Sequence, residues 1–472
     1  MLEKIFQSST KGRIAKNFLV LICGNIIAQI FAIFSTVYLA RVLGINGFGK
    51  IGFAQGIISY FSLLADFGLR TVGIREIAKN KAEIKKYVSH LLTIRLFLAV
   101  VSFILLSVLI LFLPKPVDYK ILIALFGLNI FPLVFLIDWV FQALEKMEFQ
   151  AIGDGIRALF YLIFVFLFVK GEKNLMLVPI FFAVSYFMAA LFLIYIFVRK
   201  FGWIKFSFER KIWKHLILSA APIGVSGFLL LLGNNINIVL LGFLKGDMAV
   251  GSYNAANKLI TLPIGLGGFF WTAVFPVMVR YYRESKEKLR NFMNQFSKMI
   301  IFLTTPMVVG GIILAPEIIN LVYGKNYSLS ILPFQVLMFY LFFTFISAPF
   351  YHLLLAVDKQ KYFFYGMAIG ATVNFVLNLI LIPFYNSVGA ALAASISYFI
   401  MFIVFYIISC KKIIRVPMIK DFLLSFLISL TMGFLIIRTN FNFIVEFLIG
   451  FLFYIFCIII LLLFYKKRLK TT

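Results

Sequence analysis

Runs of about twenty apolar residues recur along the whole chain, separated by short segments that hold most of its charge. Twenty residues is roughly what an α-helix needs to cross about 30 Å of hydrocarbon. Windows of that size place spans near 17–40, 51–69, 91–113, 121–141, 156–170, 177–198, 216–244, 253–279, 299–323, 335–357, 366–385, 389–410, 421–437 and 443–465. The pattern predicts an all-α polytopic membrane protein of about 14 transmembrane helices. The polar segments 70–90 and 280–298 mix Lys and Arg with Glu at helical spacing, and read as helices lying along the membrane surface. Outer segments are short and leave no room for an external catalytic domain.

Composition sharpens this. Of 472 residues, 63% are hydrophobic and 13% charged, against roughly 45–50% and about 25% in soluble domains. A soluble fold is excluded. A formal net charge of +27 would suggest nucleic acid if the basic residues clustered, but they sit in short, separate loops without a binding motif, so no nucleic-acid partner is expected. With the N-terminus inside, 34 Lys and Arg fall in or beside inner segments and 9 in outer ones. The positive-inside rule then places both termini in the cytoplasm and favours an even number of helices. The first apolar run is too long for a cleaved signal and lacks an A-x-A site.

The chemistry of enzymes is hard to find. Cys23, Cys410 and Cys457 lie in or beside apolar spans and match neither a disulfide framework nor a metal-ligand spacing. His90, His215 and His352 do not cluster. Residues 44–51 approach a phosphate-binding P-loop, but Ile51 replaces the hydroxyl that would hold Mg²⁺, and membrane helices flank the loop. No catalytic residue, metal or cofactor is expected.

The chain repeats weakly. Gly44, Gly49, Ala54 and Gln55 fall on Gly246, Gly251, Ala256 and Asn257 at an offset of 202. Asn174 and Ser185-Tyr186-Phe187 fall on Asn386 and Ser397-Tyr398-Phe399 at 212, and Glu145 on Asp358 at 213. A six-helix repeat enters the membrane twice in one orientation, and such parallel repeats pack with the substrate site between them. The expected organisation is an N-terminal lobe (1–215), a C-terminal lobe (216–410) around a central cavity, and a C-terminal helix pair (411–472).

Polar groups inside the spans are functional candidates, because a charge at the bilayer centre costs about 2.5–3.5 kcal/mol on the insertion scale. Lys258 lies deep in its span, and a cavity role is favoured. Arg41 and Arg95 lie near interfaces, where each alone reads as a snorkelling side chain. Asp66 and Arg70, four apart, form a candidate pair on one helical face. Asp138 and Glu317 are lone intramembrane acids, candidates for gating or for carrying a coupling proton. Amides concentrate in spans one, two, seven, eight and eleven: Asn25, Gln29, Gln55, Asn234, Asn235, Asn237, Asn254, Asn257, Asn374 and Asn378. Interhelical bonding is their commoner use, while their bias to the first helices of each repeat favours a polar cavity. A cationic chamber suits an anionic solute, above all a phosphate or diphosphate.

Several stretches resemble one family. Tyr38-Leu39-Ala40-Arg41-Val42-Leu43-Gly44 with Gly47-Phe48-Gly49, Asp66-Phe67-Gly68-Leu69, Arg75-Glu76-Ile77-Ala78, and Asp138-Trp139-Val140-Phe141-Gln142-Ala143-Leu144-Glu145-Lys146-Met147 resemble the bacterial polysaccharide repeat-unit flippases (Wzx-type). These belong to a superfamily with multidrug and toxin extrusion proteins and lipid II flippases. Residues 253–276 resemble the eighth-helix region of lipid II flippases, with Lys258 where those proteins carry a basic cavity residue. The resemblance implies two lobes, a groove for a polyprenyl tail formed with the last two helices, and alternating access. The implied substrate is a polyprenyl-diphosphate-linked oligosaccharide, moved from the inner to the outer leaflet of the bacterial plasma membrane.

On that reading Lys258, Arg41 and Arg95 attract the diphosphate, and Asn25, Gln29, Gln55, Asn234 and Asn257 contact sugars. Asp66, Arg70, Asp138 and Glu317 gate or couple. Membrane lipids, a polysaccharide polymerase and its chain-length machinery are the expected partners. A drug exporter of the same superfamily is the alternative, although 17–40 and 216–244 lack the acidic residues that exporters resemble one another in using. A glycan polymerase would be expected to show a large outer loop, which is absent.

Overall fold

Hydrocarbon offers no partner for backbone N–H and C=O groups, so a chain this apolar satisfies them internally as helices. The computed structural model describes the backbone of residues 10–439 and 443–468, which is helical with no strand among them. Both predicted cytoplasmic termini include residues outside that range. The chain divides into two compact units at Val239/Leu240.

The first unit holds α1 (Thr10–Asp66), α2 (Leu69–Lys79), α3 (Ile84–Phe112), α4 (Val117–Gly127), α5 (Ile130–Phe135), α6 (Asp138–Ala143), α7 (Met147–Phe168), α8 (Leu177–Phe201) and most of α9 (Arg210–Leu244). Gly44, with φ 67 and ψ 179, breaks α1 into two arms. The first arm runs parallel to α7: a Cβ on Gly24 would come within 2.5 Å of Ala151, and Tyr38 donates to the carbonyls of Phe166 and Val169. α2 packs on α6, where the Trp139 ring is fully buried against Gly73. α9 packs on the second arm of α1, with Asn235 donating to Ser59 at 3.1 Å.

The second unit holds α10 (Asp247–Glu284), α11 (Lys286–Ile313), α12 (Ala315–Tyr323), α13 (Ile331–Ala356), α14 (Gln360–Lys412), α15 (Ile419–Thr439) and α16 (Phe443–Arg468). Buried Gly389, Ala390, Ala391, Ala393 and Ala394 on α14 permit the close helix approach that substitutes for a hydrophobic driving force in lipid. Ser395 donates across it to the Val336 carbonyl of α13. Tyr454 of α16 donates to the Phe302 carbonyl of α11 and meets Ser425 of α15.

The helices divide the chain differently from the predicted spans. Ten helical segments among the described residues are long and apolar enough to cross a membrane. Two of them, Cys23–Lys79 and Gln360–Lys412, each cover two predicted spans, with breaks at Gly44 and Asn386. The predicted spans 253–279 and 443–465 fall on α10 and α16, outside that set. The surface helices are also different. In 70–90, α2 is followed by a short 3-10 turn at Lys81–Glu83, and residues 84–90 open α3. Segment 280–298 is the end of α10 and the start of α11, joined at Ser285, whose hydroxyl accepts from the Glu287 N–H. Charged helix-forming residues extend membrane helices into water as readily as they build a surface helix.

The internal repeat has a backbone counterpart. Gly44 and Gly246 share an unusual conformation, φ 67, ψ 179 and φ 83, ψ −167. Glu145 and Asp358 are both left-handed, at φ 60 and 57. Each closes the same turn: Glu145 and Lys146 N–H groups donate to Gln142 and Phe141, as Asp358 and Lys359 do to Leu355 and Leu354. This is a Schellman C-cap without the usual glycine.

A Cβ on Gly73 would lie 2.4 Å from the Trp139 ring, and overpacking of this kind costs about 1–3 kcal/mol. Gly73→Ala therefore lowers the thermal unfolding midpoint in detergent. Gly155→Ala, where an added Cβ meets nothing within 4 Å, leaves it unchanged or raises it.

Candidate functional site

α1 ends at Asp66 because Phe67 (φ 42) and Gly68 (φ 81) turn left-handed. The helix phase is lost there, so the expected pairing of Asp66 with Arg70 across one turn does not form. Each reaches another helix instead. The Asp66 carboxylate lies 3.1 Å from Arg95 Nε on α3, and Arg70 Nη2 lies 2.5 Å from Asp138 Oδ2 at the start of α6. Arg95 also donates to the Leu133 carbonyl in the last turn of α5 at 3.0 Å. Its side chain is only 4% exposed, which rules out snorkelling: a counter-ion and a carbonyl replace the headgroups. Asp138 Oδ1 and Arg95 Nη1 are buried and make no hydrogen bond among the described residues, so the cluster keeps unused hydrogen-bonding capacity.

A third ion pair lies on α7, where Arg157 Nη2 donates to Asp154 at 3.3 Å. Sequence reasoning missed this pair. Its signal was an acid and a base three apart, split by a span boundary drawn between them at 156.

The first-unit candidates divide by depth. The register of α1 on α7 places Gln29 level with Ile156 and Arg157, and Asn25, Gln29 and Gln55 are half-buried. Arg41 is exposed beside the Gly44 break. The second arm, residues 45–66, separates it from Asp66 by about 33 Å at 1.5 Å per residue. Arg41 and Arg95 therefore do not bind one diphosphate together.

In the second unit, Lys258 lies on α10 about 16 Å along the helix axis from Asp247, within the predicted span 253–279. It is half-buried and in no ion pair among the described residues. One turn earlier, on the same face, Asn254 is buried with its Nδ2 unpartnered among those residues. Thr261 continues the face and donates to the Lys258 carbonyl, and Asn257 is half-buried beside it. The Asn234 side chain lies outside the described residues. Glu317 is exposed in the first turn of the short α12, after a break at Leu314 that interrupts the predicted span 299–323. An acid there is stabilised by the helix dipole.

An open apolar groove of about 590 Å³ runs between α11, α13, α14 and α15, lined by residues including Val308, Ile312, Phe343, Ile346, Phe402 and Phe422. Thr305, the one hydroxyl in its wall, is turned onto the Ile301 carbonyl. Of the last two helices only α15 lines it among the described residues.

Comparison with known proteins adds to this geometry. A family model described as polysaccharide biosynthesis protein matches residues 14–282, and the lipid II flippase model matches residues 158–458. A provisionally named O-antigen transporter of Shigella dysenteriae is 28% identical over 67% of this chain and 79% of its own length. One of Escherichia coli strain K12, with the same provisional name, is 25% identical over 51% of this chain and 58% of its own. Among solved structures, the lipid II flippase MurJ in an inward closed conformation superposes with a TM-score of 0.80 at 20% identity, covering 96% of this chain and all of that one. The chain shares that fold.

Breaking one partner from a buried ion pair costs about 3–5 kcal/mol because the other charge is left uncompensated. Asp66→Leu and Arg95→Leu each destabilise the protein accordingly, and the double variant loses less than their sum. A double-mutant cycle on unfolding midpoints measures this coupling.

Proposed function

Since the chain belongs to the polysaccharide biosynthesis protein family, we propose that it carries a polyprenyl-diphosphate-linked oligosaccharide from the cytoplasmic to the outer leaflet of a bacterial plasma membrane, by alternating access, for surface polysaccharide synthesis. Family membership supplies the class of reaction. The observation in this chain that carries the reading is Lys258, a half-buried cation within the predicted span 253–279 with no carboxylate partner among the described residues. Such a charge is stabilised by an anionic ligand, and a diphosphate is the anion that a lipid-linked sugar presents.

The barrier to flipping is the passage of diphosphate and sugar hydroxyls through a layer that solvates neither. Lys258 offsets the first cost as a compact charge. Lacking the planar fork of arginine, it holds the diphosphate without fixing its orientation, which suits a group that must move on. The stripe Asn254–Lys258–Thr261 and the amides Asn25, Gln29, Gln55, Asn234 and Asn257 replace water around the sugars. Arg70 and Arg95, near the predicted cytoplasmic ends of their helices, receive the substrate. Asp66 and Asp138 hold these arginines in the empty state, and Arg41 at the far end serves release. The groove beside α15 keeps the polyprenyl tail in an apolar setting. Glu317 is left as a coupling candidate. Excess Lys and Arg in the inner segments supports cytoplasmic termini, and a polymerase with its chain-length machinery takes the product.

Lys258→Ala abolishes transport while the protein remains in the membrane. The measurement is extraction of lipid-linked sugars from cells depleted of the wild type and carrying the variant. Undecaprenyl-diphosphate-linked oligosaccharide accumulates and surface polysaccharide disappears, and wild-type re-expression reverses both. Full activity of Lys258→Ala rejects the role of this residue. Unchanged lipid-linked pools after depletion, in a host with no second flippase, favour the drug-exporter alternative.

Energy coupling is assigned to an ion gradient or the membrane potential. In sealed vesicles, collapsing the proton and sodium gradients separately slows transport in one case; indifference to both rejects gradient coupling.

A further inference from the structure

The pair on α7 has surroundings unlike those of the other charges. Arg157 Nη1 donates to the Tyr186 hydroxyl of α8 at 2.6 Å, and its guanidinium carbon lies 4.8 Å from the centre of the Tyr186 ring. Phe182 lies 4.9 Å from that ring, and Tyr161 5.4 Å from Phe182. The result is a charged fork, a carboxylate and a phenol set beside a chain of aromatic planes. All five side chains are half-buried. Arg157 lies about 15 Å along the axis from the start of α7, level with Gln29 of α1.

A guanidinium within a membrane span almost always faces protein or a watery cavity and not lipid tails. A salt bridge kept only for packing is a weak source of stability, because desolvation cancels most of its attraction. The Arg157 side chain nevertheless stays 32% exposed, so part of the group is open to a ligand. The chemistry present matches a pyranose. Its rim of hydroxyls both donates and accepts, as a paired carboxylate, guanidinium and phenol require, and its C–H face is apolar enough to lie on an aromatic ring. A diphosphate fits worse, because Asp154 would repel it.

We propose that Asp154, Arg157 and Tyr186, with the rings of Tyr161 and Phe182, form a sugar-recognition subsite that reads the oligosaccharide of the substrate. The inference rests on the transport reading above and adds to it where glycan selectivity lies. Sugars displace the internal bonds of the triad and take their place, so the site is satisfied both empty and loaded.

The test compares two substrates on the full chain in proteoliposomes: the polyprenyl diphosphate carrying the complete oligosaccharide, and the same lipid carrying its first sugar alone. The readout is the ratio of the two transport rates, with the unfolding midpoint of each variant measured alongside. Loss of one or two hydrogen bonds to the glycan is worth about tenfold, so Asp154→Asn and Tyr186→Phe lower the oligosaccharide-to-single-sugar ratio by about that factor. Arg157→Lys lowers it too, because it removes the fork and keeps the charge. A ratio equal to wild type in all three variants overturns the subsite. That includes rates falling equally with a lower midpoint, the signature of a packing pair. Wild-type protein that moves neither lipid refutes the transport reading itself, and the subsite with it.

Discussion

The absence of water in the bilayer interior governs this molecule. Every backbone amide there must find its partner within its own helix, and every charge must find a counter-ion, a carbonyl or a ligand. The first unit obeys by pairing its charges, Asp66 with Arg95 and Arg70 with Asp138 across helices, and Asp154 with Arg157 within α7. The breaks in its helices lie beside those charges. α1 stops at Asp66, and α6 begins at Asp138. A broken helix exposes backbone groups that side chains can satisfy, as Arg95 does for the Leu133 carbonyl. In the second unit Lys258 stands apart, with amide and hydroxyl neighbours on its own helix.

This contrast gives the charged groups different tasks. A paired arginine is held in place before any ligand arrives, and the ligand must compete with its aspartate. Binding at such a site is weakened and made reversible, which a transporter needs. A lone lysine has no internal competitor, so it is where an anion gains most.

Much of the fold was legible, because a twenty-residue apolar run in lipid has only one common solution. Helix breaks were less legible. Nothing in the apolar pattern of 121–141 marks the division into α4, α5 and α6, and nothing in 299–323 marks Leu314. These depend on what packs against them. The site was legible as a set of residue types and not as pairs. Asp66, Arg70, Arg95 and Asp138 were each identifiable as costly charges, but a helical spacing of four suggested the wrong partner for Asp66. The left-handed turn at Phe67 and Gly68 overrode it. Asp154 and Arg157 were hidden by a boundary drawn between them at 156, which left Asp154 outside the span and Arg157 at its edge. Arg41 was grouped with Arg95 on charge alone, and only the length of the second arm of α1 shows them at opposite depths.

The two matching turns at Glu145 and Asp358 reach beyond packing. Each is made entirely from residues within five positions of one another, so its hydrogen bonds require no group from a distant helix. The same local instruction is thus issued twice, once in each half. A gene that doubles an even number of helices needs just such self-contained stops, because neither copy can borrow the other's contacts to know where to turn.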